Sequence, residues 1–538
     1  MTTDQSLVVW FRDLGSEDVD VVGGKNASLG EMIRNLKQEG IRVPDGFATT
    51  ARAYWEFLED NNLKDEIAAQ VAFYRNGEAP LDQVGAAIRE MILQAGFTAE
   101  LKEALQESYQ QLGEQFGQSD LAVAVRSSAT AEDLPEASFA GQQETFLNIT
   151  GVDNLFDACR KCFASLFTDR AISYRENHGF DHMKVALSIG VQKMVRSDLG
   201  GAGVMFSIDT ETGFPEAVLI NASWGLGETV VQGMVDPDEY MVFKPLLKDS
   251  RYKPVIKKVL GGKEKKMVYA ERGSKSTRTE KTPKDERNAF VLQDEEILQL
   301  GRWAAMIEDH YGKPMDIEWA RDGETGDLFI VQARPETVQS RKQTEMLKSY
   351  SLKQKGRLLV KGLSIGDAIA TGKVIKLGSA KEINKFEEGA VLVTKMTDPD
   401  WVPIMKKAAA ILTDYGGTSH AAIVSRELGL PAIVGIGNAT GELAAGQEVT
   451  VSCAEGDEGF VYEGTAEYEV NEITLDEIPE TRTKVMVNMA NPAAALRWWQ
   501  LPSDGVGLAR MEFIINNQLK VHPMALLHFD DLKDKVAK

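Results

Sequence analysis

The chain has 538 residues, of which 43% are apolar and 26% charged, an ordinary globular composition long enough for about three or four domains. Lys and Arg number 60 against 81 Asp and Glu, a net charge of -21, which argues against a nucleic-acid or anionic-membrane surface and requires any phosphate to be met by local cations. Three cysteines are too few for a disulfide framework, and neither a leader pattern nor a membrane-length apolar run is present, so the expectation is a cytoplasmic protein.

Residues 6–12 predict a strand. Gly23-Gly24-Lys25 predicts a turn into a helix that runs through Leu36. Glycines ahead of a helix let backbone N–H groups approach a phosphate, and Lys25 would supply charge. A plain strand-to-helix turn fits the same residues, and P-loop spacing is absent. Residues 51–117 are mostly helical by their 3.6-residue apolar period. A buried strand at 121–125 then leads into Arg126, followed by Ser127-Ser128-Ala129-Thr130. Such an arginine can fork onto phosphate oxygens or simply end a strand in solvent. Cys159 and Cys162 have redox or zinc spacing, but they lie in an amphipathic helical run (153–176) without a second ligand pair, so they read as packing thiols. Residues 185–195 form a strand whose end, Gln192-Lys193-Met194-Val195, suits either an adenine pocket or a plain core. Residues 217–221 form another strand. The Lys- and Arg-rich stretch 245–288 reads as a hairpin plus a solvated loop.

Residues 294–311 predict a helix, and residues 315–320 and 328–335 a hairpin. Asp316 and Glu318 share one face of its first strand, and Gln332 and Arg334 one face of the second. Two acids, an amide and an arginine across adjacent strands suit Mg²⁺ and nucleotide phosphates. An exposed, salt-bridged hairpin face fits them as well. Residues 337–358 and 474–484 read as linkers around a compact unit at 359–470. Within that unit a strand (408–413) leads through Asp414-Tyr415-Gly416-Gly417 to a helix at 421–428, which Gly429 and Pro431 close. His420, one of six histidines, therefore stands on a Gly-rich loop at a helix N-terminus. Free N–H groups and the macrodipole favour an anion there. The residue is either a phosphoryl carrier or a cap. Beyond the second linker a strand, a helix (492–499) and a strand at 506–508 begin a β-α-β pattern. Residues 481–538 are far short of the about 250 residues of a complete (β/α)₈ barrel.

Several motifs occur together in order: Gly23-Gly-Lys-Asn-Ala-Ser-Leu-Gly-Glu-Met32, Val125-Arg-Ser-Ser-Ala-Thr-Ala-Glu-Asp133, Ser138-Phe-Ala-Gly-Gln-Gln-Glu-Thr145, Met315-Asp-Ile-Glu-Trp319, Val331-Gln-Ala-Arg-Pro335, Met396-Thr-Asp-Pro-Asp-Trp401 and the stretch around His420. With this set the chain resembles the phosphoenolpyruvate synthase (pyruvate, water dikinase) family of PEP-utilising enzymes, a group that also holds pyruvate phosphate dikinase. The resemblance covers essentially the whole chain. It implies an α/β and α+β multidomain protein. Residues 1–345 would be an ATP-grasp-like nucleotide-binding domain, 359–473 a swivelling phosphohistidine β/α domain, and 481–538 the start of a pyruvate- and PEP-binding (β/α)₈ barrel.

By matching motifs the resemblance implies that Lys25, Arg126 and Arg334 hold ATP phosphates. Asp316, Glu318 and Gln332 would serve nucleotide and Mg²⁺, with Glu318 and Gln332 as metal ligands. His420 would take the β-phosphoryl group of ATP, the γ-phosphate would pass to water, and AMP would be left. The phosphohistidine would then give phosphoenolpyruvate from pyruvate, feeding gluconeogenesis. Arg510 matches a pyruvate/PEP-binding arginine, and Thr418 a threonine that a regulatory kinase/phosphorylase modifies. The full-length enzyme would be a homo-oligomer, with no nucleic-acid or membrane partner. Two departures stand out. The Gly416-Gly417-Thr418-Ser419-His420 loop is one residue shorter than the family's Gly-Gly-x-Thr-x-His. The late-barrel acidic metal ligands and cysteine lie outside this sequence, so it is expected to form little phosphoenolpyruvate. The alternatives are pyruvate phosphate dikinase, a dikinase with another acceptor, or a truncated, non-catalytic ATP-binding phosphocarrier.

Overall fold

The structure, a computed structural model, describes residues 6–130, 133–134, 137–138, 144–177, 179–270, 276–336, 346–398, 401–416, 420–456, 458–474, 481–489, 495–496, 499–515 and 521–531. It is a multidomain α/β assembly in which two antiparallel sheets and a closed barrel carry the main cores.

The first sheet has five strands, in the order Val8–Trp10, Gly46–Thr49, Leu187–Lys193, Val123–Ala129 and Thr145–Ile149. Its central strands are buried on both faces. The mostly helical stretch expected at 51–117 forms four helices between 51 and 115, which cover the sheet together with the helix Val152–Ser165. That helix brings Cys159 and Cys162 into the core as free thiols, and Cys162 Sγ donates to the carbonyl of Val125. A second sheet of six strands runs Val255–Val259, Asp238–Phe243, Ala217–Trp224, Gly201–Phe206, Met315–Arg321 and Leu328–Pro335. The helix Asp294–Tyr311 packs its apolar side on it, as the 3.6 period at 294–311 predicts.

The Gly-Gly-Lys turn is not a separate loop. It lies inside the helix Val19–Asn35, which kinks at Gly23 (φ 73°, ψ 161°). A Cβ there would stand 2.3 Å from Ser128 Oγ and 2.5 Å from the Ser128 carbonyl oxygen. Only glycine permits both this backbone and this approach.

The expected linker at 337–358 needs correcting over part of its length. Met346–Leu352 and Tyr468–Thr474 are strands that pair antiparallel, so the segments entering and leaving the compact unit form one ribbon. Their polar composition resembles a linker, but cross-strand pairs hold them together: Lys348 with Glu472 at 2.9 Å, and Tyr350 with Tyr468 at 6.4 Å between ring centroids. The Lys-rich run is likewise not all solvated. Lys263 is fully buried and paired with Asp238, whose carboxylate also accepts from the backbone N–H groups of Gly261 and Val291.

Between the ribbon strands the chain closes a seven-stranded barrel: Leu358–Ile365, Ala432–Val434, Ala410–Thr413, Val391–Thr394, Ile369–Lys376, Glu448–Ser452 and Glu458–Glu463. Helix His420–Leu428 lies against it through Ala421, Ala422 and Val424. Gly429 stops this helix at φ 67°, and the Leu430 N–H returns to the carbonyl of Ser425. Further on, Val487–Met489 and Val506–Ala509 pair in parallel. The predicted helix between them falls largely outside the described residues. Among the described residues no helix is long and apolar enough to cross a membrane.

Candidate functional site

The hairpin predicted at 315–335 forms in register. Asp316 stands opposite Arg334, and Glu318 opposite Gln332. Cross-strand partners in an antiparallel pair are close neighbours on one face, so the period-2 reading of this segment brings all four groups together. Arg334 donates from Nε (2.9 Å) and Nη2 (2.7 Å) to one oxygen of Asp316. Burial pushes the Asp316 carboxyl above its usual range, against the pull of Arg334.

Arg126 comes from the other sheet. It crosses from the strand Val123–Ala129 and donates through Nη1 to the Val331 carbonyl at 2.8 Å. Its Nη2 reaches Gln332 Oε1 at 2.6 Å and Glu318 Oε2 at 3.1 Å. The guanidinium therefore bridges two sheets and satisfies the central acid and amide of the hairpin face. Oxygens of Glu318 and Gln332 converge on one point, now held by a cationic nitrogen. This all-oxygen donor set fits a hard divalent cation that shares phosphate oxygens. Among the described residues no group of three or more His, Cys, Asp or Glu side chains is placed to hold a metal alone.

Lys25 stands at the same junction. Its Nζ donates to the Ser127 carbonyl at 3.4 Å, and the following residue, Asn26, ties the kinked helix to Ser188 Oγ at 2.9 Å. The Gly23 approach thus places Lys25 beside the strand that carries Arg126.

Glu228 escaped the sequence reading. It opens the short helix Glu228–Val231, and its carboxyl is pushed up first by burial and then by Glu318, with Arg126 opposing. It therefore faces the same cluster. The motif Gly225-Leu-Gly-Glu228 marks a turn into a helix, but nothing in its spacing points to this face. The strand end at 192–194 behaves as core. The backbone N–H groups of Lys193 and Met194 are taken by Asp45 and Ala122.

The backbone of His420 begins the helix His420–Leu428; its side chain, together with Gly417, Thr418 and Ser419, lies outside the described residues. The base of its loop is firmly tied. Asp414 Oδ1 accepts from the Thr440 N–H at 2.9 Å, and the Asp414 carbonyl from the Gly437 N–H at 2.9 Å. Arg510 caps the helix Met511–Ile514 and lies 3.9 Å from Glu512. Among the described residues no hydrogen bond or ion pair joins Arg510 to the face around Arg126.

Comparison with known proteins accords with this arrangement. Residues 19–354 match the family described as pyruvate phosphate dikinase, AMP/ATP-binding domain, and residues 386–456 match the PEP-utilising enzyme, mobile domain. The chain is 54% identical to the phosphoenolpyruvate synthase of Aquifex aeolicus (strain VF5), over 100% of this chain and 64% of the relative. It is 54% identical to that of Synechocystis sp. (strain ATCC 27184 / PCC 6803 / Kazusa), over 99% and 67%. It is 52% identical to that of Escherichia coli (strain K12), over 98% and 66%. The chain thus spans about two thirds of the length of the curated relatives it matches.

Proposed function

The chain belongs to the phosphoenolpyruvate synthase family, and on that premise we propose that it serves the reaction of ATP, pyruvate and water to AMP, phosphoenolpyruvate and phosphate, through a phosphohistidine at His420. The observation that carries this reading is Arg126 spanning two sheets onto Glu318 and Gln332, beside the Asp316–Arg334 pair. Residues 1–345 would bind nucleotide, 359–473 would carry the phosphoryl group, and 481–538 would begin the pyruvate-binding barrel. The parallel pairing of Val487–Met489 with Val506–Ala509 supports the last assignment, since a β-α-β unit pairs its strands this way.

On this reading Lys25, Arg126 and Arg334 draw the phosphate chain onto the face, exchanging their present carboxylate, amide and carbonyl partners for phosphate oxygens. An imidazole nitrogen of His420 bonds to the β-phosphorus as the bond to the α-phosphate oxygen breaks, and AMP leaves. Water takes the γ-phosphate as inorganic phosphate. The enol oxygen of pyruvate then receives the phosphoryl group and frees the histidine. Mg²⁺, held by Glu318, Gln332 and phosphate oxygens, would neutralise charge on the transferring group. Catalysis would rest on positioning and charge neutralisation.

The test is product identity. Incubated with ATP and Mg²⁺, the chain should release AMP and phosphate, in amounts that stop near one equivalent per chain without pyruvate. ADP as the first product would contradict the reading.

A further inference from the structure

The six-residue loop Asp209-Thr-Glu-Thr-Gly-Phe214 does more than join two strands. It follows the strand Gly201–Phe206, whose Phe206 sits opposite Asp316 in the sheet. The loop therefore rises from the same sheet end as the Asp316–Arg334 pair. Its shape is fixed from within. The buried Asp209 carboxylate accepts from the Glu211 N–H at 3.2 Å and from the Thr212 hydroxyl, and the Asp209 carbonyl accepts from the Gly213 N–H at 2.8 Å. This Asx-type turn presents Glu211 outward.

Glu211 meets the barrel unit at two points. Arg426, on the helix that begins at His420, pairs with Glu211 Oε1. The backbone N–H of Gly366, in a turn of the barrel, points at Glu211 Oε2 at 3.4 Å. The Arg426 charge also reaches Asp209. The same loop holds the C-terminal segment: Trp499 Nε1 donates to the Thr212 carbonyl at 3.1 Å, and its ring lies 5.7 Å from that of Phe214.

We infer that Glu211 and Arg426 form a docking latch, which holds the helix beginning at His420 against the sheet end bearing Asp316 and Arg334. The inference deepens the proposed function, since it takes His420 as the carrier. Arg426 follows His420 by six positions, about 9 Å along the helix axis, so fixing Arg426 also fixes where the helix starts. The latch is built to open. Arg426 Nε is shut off from solvent and lacks a hydrogen-bond partner among the described residues, and undocking returns it to water. Docking thus leaves one donor unsatisfied, which limits how tightly the pair can hold.

The test uses the intact chain and four forms of it: the natural sequence, Glu211→Arg, Arg426→Glu and the double reversal. Amide hydrogen exchange is read at residues 209–214 and 420–428, alongside ATP affinity and the rate of β-phosphoryl labelling. Each single reversal should speed exchange in both segments about 3- to 30-fold and slow labelling, with ATP affinity unchanged. The double reversal should restore both readouts. Unchanged exchange in the single variants, or additive loss in the double, would overturn the latch. If the natural chain never takes label, the phosphohistidine reading fails, while the exchange data still decide the latch.

Discussion

Arg126 Nη2 lies 2.6 Å from Gln332 Oε1, the shortest of three contacts by which this guanidinium joins the two sheets across the candidate nucleotide site. The residues stand 206 positions apart in the chain, so the contact depends on the whole nucleotide-binding fold. The guanidinium supplies forked donors in a fixed plane, which an ammonium cannot copy. Arg126→Lys should therefore weaken ATP binding about tenfold or more and lower folding stability by about 1–3 kcal/mol. Titration calorimetry with ATP and urea unfolding measure the two effects. Full retention of ATP affinity would remove Arg126 from the phosphate site.

Gly23 tests the kink that presents Lys25. Its positive φ and the 2.3 Å approach of a would-be Cβ to Ser128 Oγ leave no room for a side chain. Gly23→Ala should cost about 2–4 kcal/mol in urea unfolding and weaken ATP binding through Lys25. Gly312→Ala is the control, because nothing lies within 4 Å of its Cβ position although its φ is 66°. It should cost only about 1 kcal/mol, from backbone strain. Equal losses in the two variants would mean that the contact with Ser128 adds nothing.

Lys263 is fully buried against Asp238. Removing one partner of a buried pair strands the other charge, at a cost of about 3–5 kcal/mol. Lys263→Met should show a loss of this size in urea unfolding, with ATP affinity in the surviving folded protein little changed. A loss below about 1 kcal/mol would place the pair among the weak surface bridges.

His182 gives a pH signature. Arg175 Nε donates to its Nδ1 at 2.8 Å, and its Nε2 meets Glu176 Oε1 at 2.6 Å, so the folded imidazole is neutral with its proton on Nε2. Burial first, and Arg175 next, push its pKa down to about 4. The unfolded histidine titrates near 6.5, so between these values the unfolded chain binds more protons. Stability is then fully present above about pH 6.5 and falls by about 3 kcal/mol as pH drops toward 4. His182→Gln should flatten that part of the stability–pH curve. An unchanged slope would show that other groups drive the acid loss.

Much of this site is legible in the sequence because its information is local. The alternation of 315–320 and 328–335 places Asp316, Glu318, Gln332 and Arg334 on one face, and the register makes them direct partners. Arg126 is visible as a charge closing an apolar run, but the strand runs on through Ser127 and Ser128 to Ala129 instead of ending there, because those small residues pair with Leu187–Lys193; its crossing to the second sheet is a tertiary fact. Glu228 and Lys263 are invisible for the same reason: each looks like a solvated charge until distant elements bury it. The ribbon of Met346–Leu352 with Tyr468–Thr474 is hidden because the two halves pair across an entire domain. The kink at Gly23 is hidden because a helix continues on both sides of it.

The most direct test of the account follows phosphorus from ATP to histidine. ATP labelled at the β-phosphate, and separately at the γ-phosphate, is given to the chain and to its His420→Asn variant with Mg²⁺. The prediction is acid-labile, base-stable β-label on the natural chain alone, with the γ-label appearing as free phosphate. Equal β-labelling of the His420→Asn variant, or stable retention of the γ-label, would contradict the assignment of His420 as the carrier.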